Sequence, residues 1–182
     1  MNQSMKTKKT IIDKIDPLGF DSDSVLNVQE EVFSDSRQGT AKKAIKILVE
    51  LNQGYKAPIG KERTNLVIAF AKRNKIIYGK AFDVVKFKSN KAIDLGNLEM
   101  VERHIHEIMI CEIKSTKKDI VGKNFEKYFF GLSTAELLVA QNLKEQFQFV
   151  FVNINTKDIL ELTLKQVFEK SKGIYPVWSI QF

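Results

Sequence analysis

The sequence predicts an α/β fold, a sandwich with a central mixed sheet and flanking helices, and three observations carry that prediction. Apolar residues recur at three- and four-residue spacing in "GTAKKAIKILVELNQG", where Ala41, Ala44, Ile45, Leu48 and Leu51 share a helical face. They alternate in "YGKAFDVVKFK" and "IHEIMICEIK" and run unbroken in "FQFVFVNI", the patterns of half-buried and fully buried strands. Helical and extended segments follow one another along the chain, which is how helices come to layer on a sheet.

In chain order, "KTIIDKI" and "DSVLNVQEEVF" each read as a short helix, with a turn at Pro17 and Gly19 between them. Residues 1–36 are therefore expected to form an N-terminal helical segment ahead of a core at 37–182, within one domain spanning 1–182. The first core helix has Thr40 as its candidate N-cap and Gly54 as its stop, and "ERTNLVIAFAKRNK" is a second, shorter helix. In the next strand Phe82 and Val84 face one side, and Asp83, Val85 and Phe87 the other. Residues 89–104, "SNKAIDLGNLEMVERH", break the pattern with a turn at Asp94 to Asn97 and read as an insertion looping out between two strands. Period two then puts Ile108, Ile110, Glu112 and Lys114 on one face and Met109, Cys111 and Ile113 on the other. "LSTAELLVAQNL" opens with a capping box, Ser133 bonding the third helical amide while Glu136 reaches back. A buried strand, "FQFVFVNI", a helix stopped by Gly173 and a short last strand, "VWSIQF", complete the reading.

Charge and composition narrow the function. Formal net charge is +7, concentrated between Arg37 and Lys91, where 14 Lys or Arg face only Glu50, Glu62 and Asp83. Such a stretch calls for a polyanion partner. With one cysteine, no apolar leader and no apolar run of bilayer length, a cytoplasmic protein off the membrane is the expectation. Neither a G-x-x-x-x-G-K-[ST] phosphate loop nor a G-x-S-x-G elbow is present, so nucleotide hydrolysis and serine esterase chemistry lack their motifs. Structural zinc fails for want of thiolates, since His104, His106 and Cys111 are three ligands at most.

One stretch resists a purely structural account. In "EIMICEIKSTKK", Glu112 and Lys114 put opposite charges on one face of an apolar strand, and burying them demands compensation. A magnesium ion provides it, because Mg²⁺ takes one or two carboxylates together with water and substrate phosphate oxygens. Asp83, on the preceding strand, reaches Glu112 if the two strands pair.

Asp83 followed by "EIK" resembles the PD-(D/E)XK, or restriction-endonuclease-like, nuclease superfamily, and small bacterial restriction and defence endonucleases in particular. The resemblance covers roughly residues 40 to 182 and rests on the succession of helix, Asp strand, E-x-K strand, helix and strand. It departs in having Phe82 where the motif has proline, and in the 29 positions from Asp83 to Glu112. It implies a Mg²⁺-dependent endonuclease acting on double-stranded DNA, a type II restriction endonuclease foremost, with Mn²⁺ able to substitute. Asp83 and Glu112 would hold the metal, and Lys114 would orient the attacking water. Glu50 is a further candidate carboxylate and Asp94 an alternative to Asp83. A double-strand cut by a one-site chain implies a homodimer or a partner subunit. Phosphate contacts are expected from Lys42, Lys43, Lys46, Lys88 and Lys91, from Arg103 in the insertion, and from Ser115, Thr116, Lys117, Lys118 and Lys123 beyond the motif strand. Two alternatives share the pattern: a DNA-binding or interaction module with little or no catalysis, and a repair or junction nuclease.

Overall fold

The computed structural model describes residues 39–89 and 91–175. The expected N-terminal helical segment at 1–36 and the last strand at 177–182 lie outside the described residues.

A helix, α1, covers residues 39–50, and the sheet strands are β1 (Tyr55–Lys56), β2 (Val84–Phe87), β3 (Ile108–Thr116), β4 (Phe147–Asn153) and β5 (Ile159–Leu162). Helices α2 (Lys61–Ala71), α3 (Leu98–Arg103), α4 (Thr134–Leu143) and α5 (Leu164–Lys170) alternate with them. The strands lie in sequence order as an open five-stranded mixed sheet. All neighbours are antiparallel except β3 and β4, which run parallel with α4 in the crossover. The fold is thus α/β, as the alternation of periods predicts.

The pleat sorts the core into two layers. Val85, Phe87, Ile108, Ile110, Phe147, Phe149 and Phe151 face helices α2 to α5 and pack on Leu66, Phe70, Val101, Val139, Leu143 and Val167. Val84, Met109, Cys111, Ile113, Val150 and Val152 face α1 through Ala44 and Leu48. Each large apolar side chain buried this way contributes about 1.5–3 kcal/mol. Among the described residues no helix is long and apolar enough to cross a membrane.

Three details differ from expectation. Strands β1 and β5 join the sheet although neither carries a clear sequence signature, and Lys86 of β2 reaches Glu161 of β5 at 2.6 Å. Thr40 lies inside α1, so it is not that helix's cap. Most consequential, residues 91–104 do not loop out: Ile93, Leu95 and Val101 are buried in the larger core. The buried Asn65 side chain of α2 donates to the Leu95 carbonyl at 2.8 Å. The segment is apolar at the positions that matter, and its mixed charge sits on the solvent side of a short helix.

Candidate active site

Asp83 stands one residue ahead of β2. Its amide donates to the Cys111 carbonyl at 2.9 Å, continuing the ladder that pairs Val84 with Cys111, so its side chain projects beside Glu112. Its Oδ2 accepts the Ile113 amide at 2.9 Å. From β3, Lys114 Nζ donates to Glu112 Oε1 at 3.1 Å and to Glu136 Oε2 at 2.8 Å. The Glu112, Lys114 and Glu136 side chains are only 11%, 11% and 12% exposed.

Glu136 is held by its helix. The expected capping box is present: Glu136 Oε2 accepts the Ser133 amide at 3.0 Å, and Ser133 Oγ accepts the Glu136 amide at 3.2 Å. One carboxylate oxygen therefore both starts α4 and meets the Lys114 ammonium. Sequence reasoning found the cap and missed the ion pair.

A second residue escaped it as well. Arg63 of α2 sends Nη1 to the carbonyls of Gly79 and Phe82, the latter at 2.8 Å, and Nη2 to that of Asp83 at 3.3 Å. Its guanidinium lies 4.4 Å from the centre of the Phe82 ring. It braces the turn that delivers Asp83.

Three carboxylates around one buried ammonium leave an excess of negative charge. Burial pushes the Glu112 carboxyl well above its ordinary range, with Lys114 opposing and Asp83 and Glu136 reinforcing. Asp83 is also raised, by burial, against the pull of the Ile113 amide and Lys114. Burial works against the Lys114 charge, yet Glu112 and Glu136 outweigh it and raise the lysine. Burial likewise lowers Arg63, while Asp83 and Glu112 support its charge.

The donor set suits a hard cation. Asp83 and Glu112 offer oxygen only, and both carboxyls are pushed toward their neutral forms in a way that a cation would reverse. Soft ligands are absent from it: Cys111 is buried on the other face of the sheet with its thiol pushed up by burial, and His104 pairs with Glu107 at the far end of β3. Among the described residues no group of three or more His, Cys, Asp or Glu side chains is arranged to hold an ion.

The remaining expected residues fall at two ends of the sheet. Glu50, on α1, is exposed and 3.7 Å from Lys46, on the opposite side of the sheet from Glu112. Asp94 is exposed, its Oδ1 accepting the Gly96 amide at 2.9 Å. Asp83, whose amide continues the ladder on the Cys111 carbonyl, is the acid set opposite Glu112 across the β2–β3 pair. Asp83, not Asp94, is therefore beside Glu112. Lys88, Lys91 and Arg103 are exposed, and Lys88 lies past the Phe87–Ile108 end of the β2–β3 pair, its amide on the Glu107 carbonyl at 2.9 Å. Lys42, Lys43, Lys117, Lys118 and Lys123 are exposed near the site end, where Ser115 Oγ donates to Thr40 Oγ1 at 3.0 Å and ties α1 to the end of β3. Thr116 is buried, and its Oγ1 accepts the Lys118 amide at 3.1 Å. Ser115 and Thr116 are thus both engaged within the chain.

Comparison with protein-family models, curated proteins and solved structures finds no match for this chain.

Proposed function

We propose that the protein is a metal-dependent endonuclease that hydrolyses DNA phosphodiester bonds, a type II restriction endonuclease on a restriction-endonuclease-like core. The observation that carries this reading is the buried constellation itself, Asp83 beside Glu112 with Lys114 bridging Glu112 and Glu136. The succession of α1, β1, β2, β3, α4 and β4 around it supports the core.

Asp83 and Glu112 would hold Mg²⁺, or Mn²⁺ in its place, and the bound ion would polarise the phosphate and make a water nucleophilic. Lys114 presents an ammonium whose charge is maintained by two carboxylates, suited to orienting that water and stabilising the extra negative charge of a pentacovalent phosphate. Glu136 fixes the lysine from the helix, and Arg63 fixes the backbone that carries Asp83. The lysines at the site end are placed to meet strand phosphates, and the chemistry of a double-strand cut calls for a second copy or a partner subunit.

Plasmid cleavage in Mg²⁺ or EDTA, with wild type beside Glu112→Ala, tests the reading. Cutting that needs both the metal and Glu112 supports it. Absence of cutting under any divalent metal overturns it in favour of a non-catalytic DNA-binding module, a reading favoured by one observation: Lys114 already makes two ion pairs, which suffices for a structural network.

A further inference from the structure

The segment that leaves β3, residues 117–131, carries Lys117, Lys118, Lys123 and Lys127 against Asp119 and Glu126. It is a built loop. Val121 and Phe125 are buried in the core, and Phe125 keeps a left-handed φ of 58° that a bulky residue adopts only when its packing dictates it. Tyr128 Oη donates to the Ser115 carbonyl at 2.7 Å, one residue past Lys114. Tyr128 and Phe130 stack with centroids 5.8 Å apart, and both pack edge-on against Phe151 of β4. The loop backbone is anchored on both sides of Phe129, yet Phe129 itself is 79% exposed, and Ile120 is 74% exposed. Asn155 and Asn153 hold the Lys117 and Lys118 carbonyls at 2.7 and 3.1 Å, leaving the lysine side chains outward. Lys170 at the end of α5 and Lys172 just past it add charge, close enough to lower the Glu126 carboxyl after its backbone and Asn124 hydrogen bonds.

An exposed aromatic ring on a packed loop that also carries four exposed lysines matches a strand of nucleic acid in both of its chemistries, a π-face for a base and cations for the flanking phosphates. A protein partner would need acidic groups placed opposite every lysine around one apolar contact, whereas a DNA strand supplies a phosphate at each nucleotide. We propose that residues 117–131 form a DNA-contacting platform in which Phe129 stacks on a base that is unpaired beside the cleaved bond, while Lys117, Lys118, Lys123 and Lys127 hold the adjoining phosphates. The proposal rests on the nuclease reading and deepens it. It names the favoured substrate as DNA with an unpaired base near the cut, and so within that reading favours a repair or junction nuclease over a restriction enzyme acting on fully paired duplex.

The test uses the full chain carrying Glu112→Gln with Ca²⁺, so that binding is read without cutting. Fluorescence anisotropy compares a fully paired duplex with the same duplex containing a short unpaired stretch, for this parent and for the parent with Phe129→Ala or Phe129→Trp. The parent should prefer the unpaired stretch. Phe129→Ala should weaken binding to it about 5- to 100-fold and remove the preference, whereas Phe129→Trp should keep it. Lys117→Ala should flatten the dependence of log K on log salt by roughly one counterion, and Phe129→Ala should leave that slope unchanged. An unchanged preference in Phe129→Ala overturns the platform while leaving the nuclease reading intact. A dimer that Phe129→Ala converts to monomer, with DNA affinity unchanged, assigns the ring to a second copy of the chain and also overturns it. A wild type that neither binds nor cuts DNA removes both readings.

Discussion

Lys114 of β3 and Glu136 of α4 meet at 2.8 Å through the same Glu136 oxygen that accepts the Ser133 amide and starts the helix. Glu136→Gln retains an acceptor for the capping box but loses the charge facing Lys114, whereas Glu136→Ala loses both. Breaking a buried pair costs about 3–5 kcal/mol when the remaining charge is left alone, and Glu112 still faces Lys114 at 3.1 Å, so the loss here falls below that range. We expect both variants to melt below wild type, with Ala the lower, and both to cut poorly. A Gln variant with wild-type melting temperature and cleavage would show the pair to be idle.

Glu112→Ala and Lys114→Ala are expected to abolish cleavage while DNA binding measured with Ca²⁺ persists, because exposed lysines elsewhere supply phosphate contacts. Equal loss of binding and cutting in parallel assays would assign the two residues to folding instead.

The raised Glu112 carboxyl has a definite consequence for pH. Its folded pKa lies above its ordinary value of 4.5, so between those two values the folded chain retains a proton that the unfolded chain has released. Stability therefore falls as pH rises through that window, by up to about 1.4 kcal/mol per pH unit for one proton. Lys114, also raised, contributes stability that persists below its unfolded pKa and is lost only as pH climbs through the folded one. Urea unfolding of wild type and Glu112→Gln from pH 4 to 8 should show a steeper decline in wild type, the variant keeping only the part due to the raised Asp83, and added Mg²⁺ should offset the wild-type decline. Parallel curves would mean that Glu112 titrates normally.

Replacing residues 89–104 with a two-residue turn should unfold the protein, since it removes Leu95 and Val101, both fully buried, together with Ile93. Truncating one such side chain alone costs about 2–5 kcal/mol. Asp94→Ala, by contrast, should melt and cut nearly as wild type does. A folded, active deletion variant in thermal and cleavage assays would contradict this account.

Arg63→Lys keeps the charge but not the fork that reaches three carbonyls. Cleavage kinetics should show kcat lowered ~10- to 100-fold with KM little changed, the signature of a displaced Asp83. A change in KM alone would make Arg63 a substrate contact.

What the sequence disclosed and what it hid follow from the range of the interactions. The Asp83 and Glu112 face was legible because strand period two is local, and the Ser133 capping box was legible because it spans three residues. Arg63 was not, since its partners are carbonyls 16 to 20 residues away and carry no residue-type signal. Glu136 was half legible, its local role being sufficient to explain its presence. Strand β1 is two residues long, too short for any period to show, and β5 carries Glu161 for Lys86 of β2, 75 residues earlier. Residues 89–104 looked like an insertion because charged side chains interrupt the apolar ones there and no period of two survives, although Ile93, Leu95 and Val101 pack into the core.

The parallel pairing of β3 with β4 sets an order for assembly during synthesis. The β2–β3 pair needs no residue beyond Thr116 and brings Asp83 to Glu112 before α4 and β4 have been made. Glu136 arrives only when the crossover through α4 docks and β4 finds its register. A chain made only as far as Thr116 would hold the two acids and the lysine without the helix that fixes them, so the site is completed only after α4 and β4 have been added.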